Sequence, residues 1–146
     1  MAAMQPSDTH ANFHDRSVVV LKTSGVRMRG NDVFMPMTIE MFQIKKPEMG
    51  QFKKVEITKE MTEGDVTEKL LETFPYLQNQ RFYCAAAVDN RTRLDFHGDR
   101  RIWNGRLTKR LLKGNSALYI FVDEVSNRHY LVDTTLEIIK LKCSYN

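Results

Sequence analysis

Residues 62–75, TEGDVTEKLLETFP, constrain this chain more than any other stretch. Val66, Leu70, Leu71 and Phe74 recur at the spacing of one helix face, and Glu68, Lys69 and Glu72 take the opposite face. Thr62-Glu-Gly-Asp65 is a helix-start signal. Asp65 can accept from free backbone N–H groups two or three residues on, and Glu68 stands at the capping-box position. Pro75 stops the helix, because the residue before a proline avoids the α region. Such a short helix does not stand alone in water, so its stripe needs a sheet to pack on.

The strands around it supply that sheet. Residues 17–22, SVVVLK, are β-branched and apolar and read as a strand. TSGVRMRGND has loop chemistry. In 36–44, Met37, Ile39 and Met41 alternate with Thr38 and Glu40, the period of a half-buried strand, with Pro36 at its start. KKPEMG turns, and 51–59 alternates again with Val55 and Ile57 inward, so the two segments read as a hairpin. Residues 81–88, RFYCAAAV, are expected as a strand with Phe82, Cys84, Ala86 and Val88 facing the helix. Leu94-Asp95-Phe96 and Arg101-Ile102-Trp103 read as short strands, and Leu107, Leu111 and Leu112 as a single helical turn. Residues 117–123, ALYIFVD, form the clearest strand, nearly all apolar as a central strand requires. HYLV at 129–132 also reads as a strand, and TTLEIIKLK at 134–142, which carries both strand alternation and a helix stripe, favours strand through its Thr and Ile residues.

In that order of elements, residues 36–123 resemble a ubiquitin-like β-grasp domain. The resemblance rests on the hairpin 37–44 and 51–58, on T-E-G-D followed by V-x-x-x-L-L-x-x-F, and on the closing L-L-K-G-N-S-A-L-Y-I-F-V. It implies an α+β fold, a mixed sheet gripping one main helix, with the first and last strands parallel in the middle. Segments 17–34 and 125–146 would add N-terminal and C-terminal strands outside that core. The expected organisation is a flexible tail over 1–16 and a single domain over 17–146. Conjugated relatives of ubiquitin end in Gly-Gly, whereas this chain ends KLKCSYN, so the resemblance does not imply a modifier. Ras-association domains share the shape and use basic residues near the second strand against an acidic GTPase edge. Lys53 and Lys54 fall in about that place, where outward lysines would equally protect an edge from unwanted pairing.

Composition narrows the function classes. With 146 residues, 42% hydrophobic and 27% charged, the chain can bury a core without staples. No apolar run is long enough for a membrane helix, and no secretory signal is visible. Cys84 and Cys143 form no C-x-x-C pair, which points to a reducing cytoplasm or nucleus. His10 and His14 lack both a helix and a third ligand, so no metal or other cofactor is expected. Cys143 is followed by Ser144 and Tyr145, not by the aliphatic residues that lipidation wants. His97 with Asp89, Asp95 and Asp99 could serve proton transfer, yet these residues sit in a stretch where Asp and Gly meet the needs of turns. No catalytic residue is assigned, and Cys84 in an apolar strand reads as core.

The net charge of +4 is mild, but its distribution is uneven. From Gly98 to Ser116, Arg100, Arg101, Arg106, Lys109, Arg110 and Lys113 stand against Asp99 alone. Together with Lys53 and Lys54 they are the expected partner-binding residues. The expectation is a non-enzymatic module that binds an acidic protein or a second copy of itself through a strand edge and this basic segment. The alternative is a small nucleic-acid binder in which Trp103 or Tyr119 stacks a base beside the same cations.

Overall fold

The computed structural model describes residues 15–98 and 101–123. In chain order these form β1 (Asp15–Lys22), β2 (Arg27–Arg29), β3 (Asp32–Phe34), α1 (Thr38–Ile44), β4 (Phe52–Glu56) and α2 (Glu63–Thr73). β5 (Phe82–Val88), β6 (Arg93–Asp95), α3 (Gly105–Leu111) and β7 (Leu118–Val122) follow. The protein is α+β, with all seven of these strands in one mixed sheet of order β2-β3-β6-β5-β7-β1-β4.

β1 and β7 lie parallel in the interior of the sheet, Val18 opposite Leu118 and Val20 opposite Ile120. The other pairings are antiparallel, including β1 with β4 and β5 with β7. Side chains of the parallel pair alternate between two apolar layers. Val18, Val20, Leu118, Ile120 and Val122 join the layer under α2, whose Val66 and Leu70, with Phe74 just after its end, are buried there. Val19, Leu21, Tyr119 and Phe121 face the opposite layer with Val33, Met35 and Leu94. A strand buried on both faces reads as a continuous apolar run, which explains Val18–Leu21 and Leu118–Val122.

The helix start lies three residues earlier than expected. Thr62, not Asp65, is the N-cap: its hydroxyl accepts from the Asp65 N–H at 3.1 Å, and the Asp65 carboxylate accepts from the Thr62 N–H at 3.0 Å. Thr62 and Asp65 thus form the reciprocal box themselves, without Glu68.

The expected strand 36–44 is a helix, and the expected hairpin does not exist. β4 pairs instead with β1, Val55 opposite Arg16 and Phe52 opposite Val19. The strand begins at Asp15, inside the segment read as a tail. Residues 23–51 form an excursion between the two paired strands. Gln51 closes it, since its amide Nε2 donates to the Val20 carbonyl at 2.8 Å and its own carbonyl accepts from the Val20 N–H at 2.7 Å. Met41 and Ile44 of α1 pack on the layer opposite α2, while Ile39 and Phe42 point outward. The loop 23–32 contributes β2 and the start of β3, a short antiparallel pair turning at Gly30, whose φ of 63° suits glycine.

Residues 101–103 form no strand. Ile102 and Trp103 are buried in the α2 layer, and the Cys84 N–H of β5 donates to the Arg101 carbonyl at 2.7 Å. The helical turn expected near Leu107 is the two-turn α3. His10, His14, Asp99, Arg100, Cys143 and the strands read at 129–132 and 134–142 lie outside the described residues.

Candidate functional site

β4 ends the sheet on one side among the described residues. Val55 is buried, while the adjacent Lys53 and Lys54 are both exposed. The two lysines do different things. The Lys53 ammonium donates to the Thr73 carbonyl at 3.3 Å and lies 5.9 Å from the centre of the Phe74 ring. It serves the C-terminal end of α2, where backbone carbonyls favour a cation. Lys54 is in no ion pair among the described residues.

The basic segment divides in the same way. Asn104 caps α3 by accepting from the Leu107 N–H at 2.8 Å. Leu107 and Thr108 are buried, which turns Arg106 and Arg110 outward, four residues apart on one face. Lys113 is exposed just beyond the helix, and Lys109 is half-buried. None of these four cations is in an ion pair among the described residues. Arg101 belongs elsewhere: its guanidinium donates to the Phe82 carbonyl at 3.3 Å and lies 5.8 Å from the Phe82 ring, at the start of β5. Arg100 lies outside the described residues.

The strand edge and the end of the basic segment meet at Arg16. Its guanidinium donates to the carbonyls of Gly114 at 2.9 Å and Ser116 at 2.8 Å, and reaches Leu112 at 3.5 Å. Burial lowers its pKa from the usual value, but an arginine keeps its charge. Arg16, Lys54, Gly114 and Asn115, with Asp15 and Ser17, line one small pocket of about 100 Å³. The sequence reading missed Arg16 because it placed the residue in a tail. The available signal was its position two residues before Val18, in step with the buried Val18 and Val20.

The other candidates are occupied structurally. Trp103 and Tyr119 are buried, so neither offers a face for stacking a base. Cys84 is fully buried, and burial pushes its thiol up to about 12, which keeps it protonated and inert at neutral pH. His97 adopts a left-handed backbone with φ of 58° and meets Trp103 edge-on at 6.5 Å. Asp89 accepts from the Arg93 guanidinium at 2.8 Å. Among the described residues no cluster of His, Cys, Asp or Glu could hold a metal ion, and no helix is long and apolar enough to cross a membrane.

Two further concavities lie on the sheet face opposite α2. One, of about 420 Å³, is walled by Tyr83, Phe96 and Phe121, with Phe96 edge-on to both neighbours at 6.0 and 5.7 Å. The other, of about 320 Å³, runs beside α1. In comparisons with known proteins the chain matches no family model, no curated protein and no solved structure.

Proposed function

We propose that the protein is a non-catalytic interaction module of the ubiquitin-like β-grasp type, which binds an acidic protein edge along β4. The fold reading is supported by the sub-order β4-β1-β7-β5-β6, with the first and last of these strands in sequence parallel at the centre and α2 packed across one face, although its first strand is then β1 and not the segment 37–44 on which the resemblance over 36–123 rested. The observation that carries the function is the pocket in which Lys54 of the edge strand meets Gly114 and Asn115 at the end of the basic segment, braced by Arg16.

An open edge offers main-chain hydrogen bonds to any extended strand, and the cations around it select an acidic one. Lys54 supplies charge at the edge itself. Arg106, Arg110 and Lys113 extend the positive field along the neighbouring helix, which would speed encounter more than it deepens affinity. Nucleic acid is the weaker reading, because the aromatic rings it would stack on are buried.

The test is an NMR titration with a β-hairpin peptide whose free edge strand alternates threonine and glutamate. Amide signals of residues 52–56 should shift, and Lys54→Glu should abolish the effect. Unchanged signals, or equal binding by Lys54→Glu, would reject the reading. Salt-sensitive binding to a generic single-stranded oligonucleotide, lost in the triple variant of Arg106, Arg110 and Lys113 to alanine, would put nucleic acid in its place.

A further inference from the structure

α1 is apolar on two sides. Met41 and Ile44 pack inward on the sheet, while Ile39 and Phe42 are 72% and 70% exposed and Met37, just before the helix, is 55% exposed. Ile39 and Phe42 are three residues apart, so they adjoin on one outward face. Contiguous exposed apolar surface of this kind marks an interaction site, and this one lies on the sheet face away from α2.

The groove beside the helix adds chemistry. Thr38, Met41, Phe42 and Lys45 wall it, at the spacing of a single helix face. Met35 and Tyr119 contribute apolar surface, and Arg91 lines it with them. Arg91 comes from a turn in which Asp89, Asn90 and Arg91 all have positive φ, of 53°, 62° and 65°. Left-handed backbone suits asparagine and aspartate but is uncommon for arginine. The turn is held in that shape: the Thr92 hydroxyl donates to the Asp89 carbonyl at 2.7 Å, and the Arg93 guanidinium donates to the Asp89 carboxylate at 2.8 Å.

The charges are Lys45, whose ammonium lies 5.3 Å from the centre of the Phe52 ring, and Arg91, and neither has an ion-pair partner among the described residues. The nearby acids are engaged otherwise. Glu40 accepts from the Met37 N–H at 2.9 Å, and Asp89 is taken by Arg93. We propose that α1 and its groove form a second docking surface, which takes an acidic amphipathic helix of a protein partner. Its apolar residues would cover Ile39 and Phe42, and its carboxylates would face Lys45 and Arg91. A helix fits better than an extended strand because α1 has no open backbone ladder to offer, so recognition falls to side chains at helical spacing. A second copy of this chain fits poorly, because a two-fold contact would set Lys45 and Arg91 of each copy against those of the other.

A phage-displayed random library of peptides about 16 residues long, enough for about four helical turns, tests this on the full chain. Wild-type protein is the bait, and clones retained by Phe42→Ser are removed. Selected peptides should carry apolar residues at i, i+3, i+4 and i+7 with Asp or Glu beside them. Their affinity should fall about tenfold or more in Ile39→Ser and in Arg91→Glu, the range for losing an anchor at an interface. Phe42 is mostly exposed, so its replacement should leave the fold intact, which circular dichroism checks. Lys54→Glu should leave this binding unchanged, so that failure here and failure of the β4 reading are told apart. No enrichment over Phe42→Ser, or enriched peptides without acids, would overturn the proposal. Phe42-dependent binding to anionic phosphatidylserine vesicles in place of peptides, or a dimer abolished by Phe42→Ser, would also overturn it.

Discussion

Gly105 lies against the backbone of Thr58: a β-carbon at position 105 would overlap the Thr58 carbonyl oxygen. The Gly105 N–H donates to the Met61 carbonyl at 2.9 Å, so the start of α3 is fastened to the loop before α2. The obstacle is backbone, which cannot swing aside as a side chain would. Gly105→Ala is therefore expected to destabilise the protein by about 2 kcal/mol, the scale of forced overpacking. Urea unfolding of the two proteins measures it. Gly25→Ala, with open space at its own β-carbon, is the control expected to stay near wild type.

Arg16 holds the β7 approach to β1 from the side. Removing its guanidinium leaves the Gly114 and Ser116 carbonyls without that donor. Arg16→Ala should cost about 1–2 kcal/mol, as expected for charge-assisted bonds discounted for partial exposure. Arg16→Lys should recover only part of this, because one ammonium replaces the two nitrogens of which Nη1 serves Gly114 and Ser116 while Nη2 reaches Leu112. Amide hydrogen exchange over residues 114–118 should quicken in the alanine variant.

Lys53 and Lys54 separate stability from recognition. Lys53→Ala removes the cation at the α2 terminus and should lower stability by about 0.5 kcal/mol. Lys54→Ala should leave the melting temperature unchanged yet weaken capture of the acidic hairpin peptide. Identical behaviour of the two variants in both assays would mean that the two lysines share one role.

Alkaline pH should unfold the protein earlier than its composition alone suggests. The folded Cys84 thiol is pushed up to about 12 by burial, whereas the unfolded thiol ionises near its ordinary value. Between those values only the unfolded chain sheds the proton, so stability falls as pH rises. The slope from this one group reaches about 1.4 kcal/mol per pH unit. Tyr76, whose phenol donates to the Gly50 carbonyl at 2.7 Å and is pushed up by burial, acts in the same direction. Urea midpoints measured between about pH 9 and 11 should fall less steeply in Cys84→Ala than in wild type, and Tyr76→Phe should flatten them further.

Elements whose pattern was set locally were legible in the sequence. The Val66, Leu70, Phe74 stripe could only be one helix face, and Leu118–Val122 could only be interior. The alanines of β5 work as strand residues because they lie where the two apolar layers meet the sheet. α1 was misread because Met37 and Met41 are four apart, a spacing that satisfies both a strand and a helix. Ile39 was the discriminating residue, and its exposure shows that the strand alternation was false. The partner of β4 was illegible for another reason. Nothing local announces that β1 pairs across the whole of residues 23–51, so the nearest alternating segment took its place. Of the expected contact residues, Lys54, Arg106, Arg110 and Lys113 are presented outward. Lys53 and Arg101 are drawn into structural contacts that depend on α2 and β5, which composition does not reveal.

The parallel pairing of β1 with β7 governs how the chain can be made. As the nascent polypeptide leaves the ribosome, Val18–Leu21 emerges well before its partner Leu118–Val122. Until then β1 can pair with β4 on one flank, and its other flank stays open. Assembly of the centre thus waits until β7 has been translated, and a product lacking β7 is a substrate for chaperones and proteases.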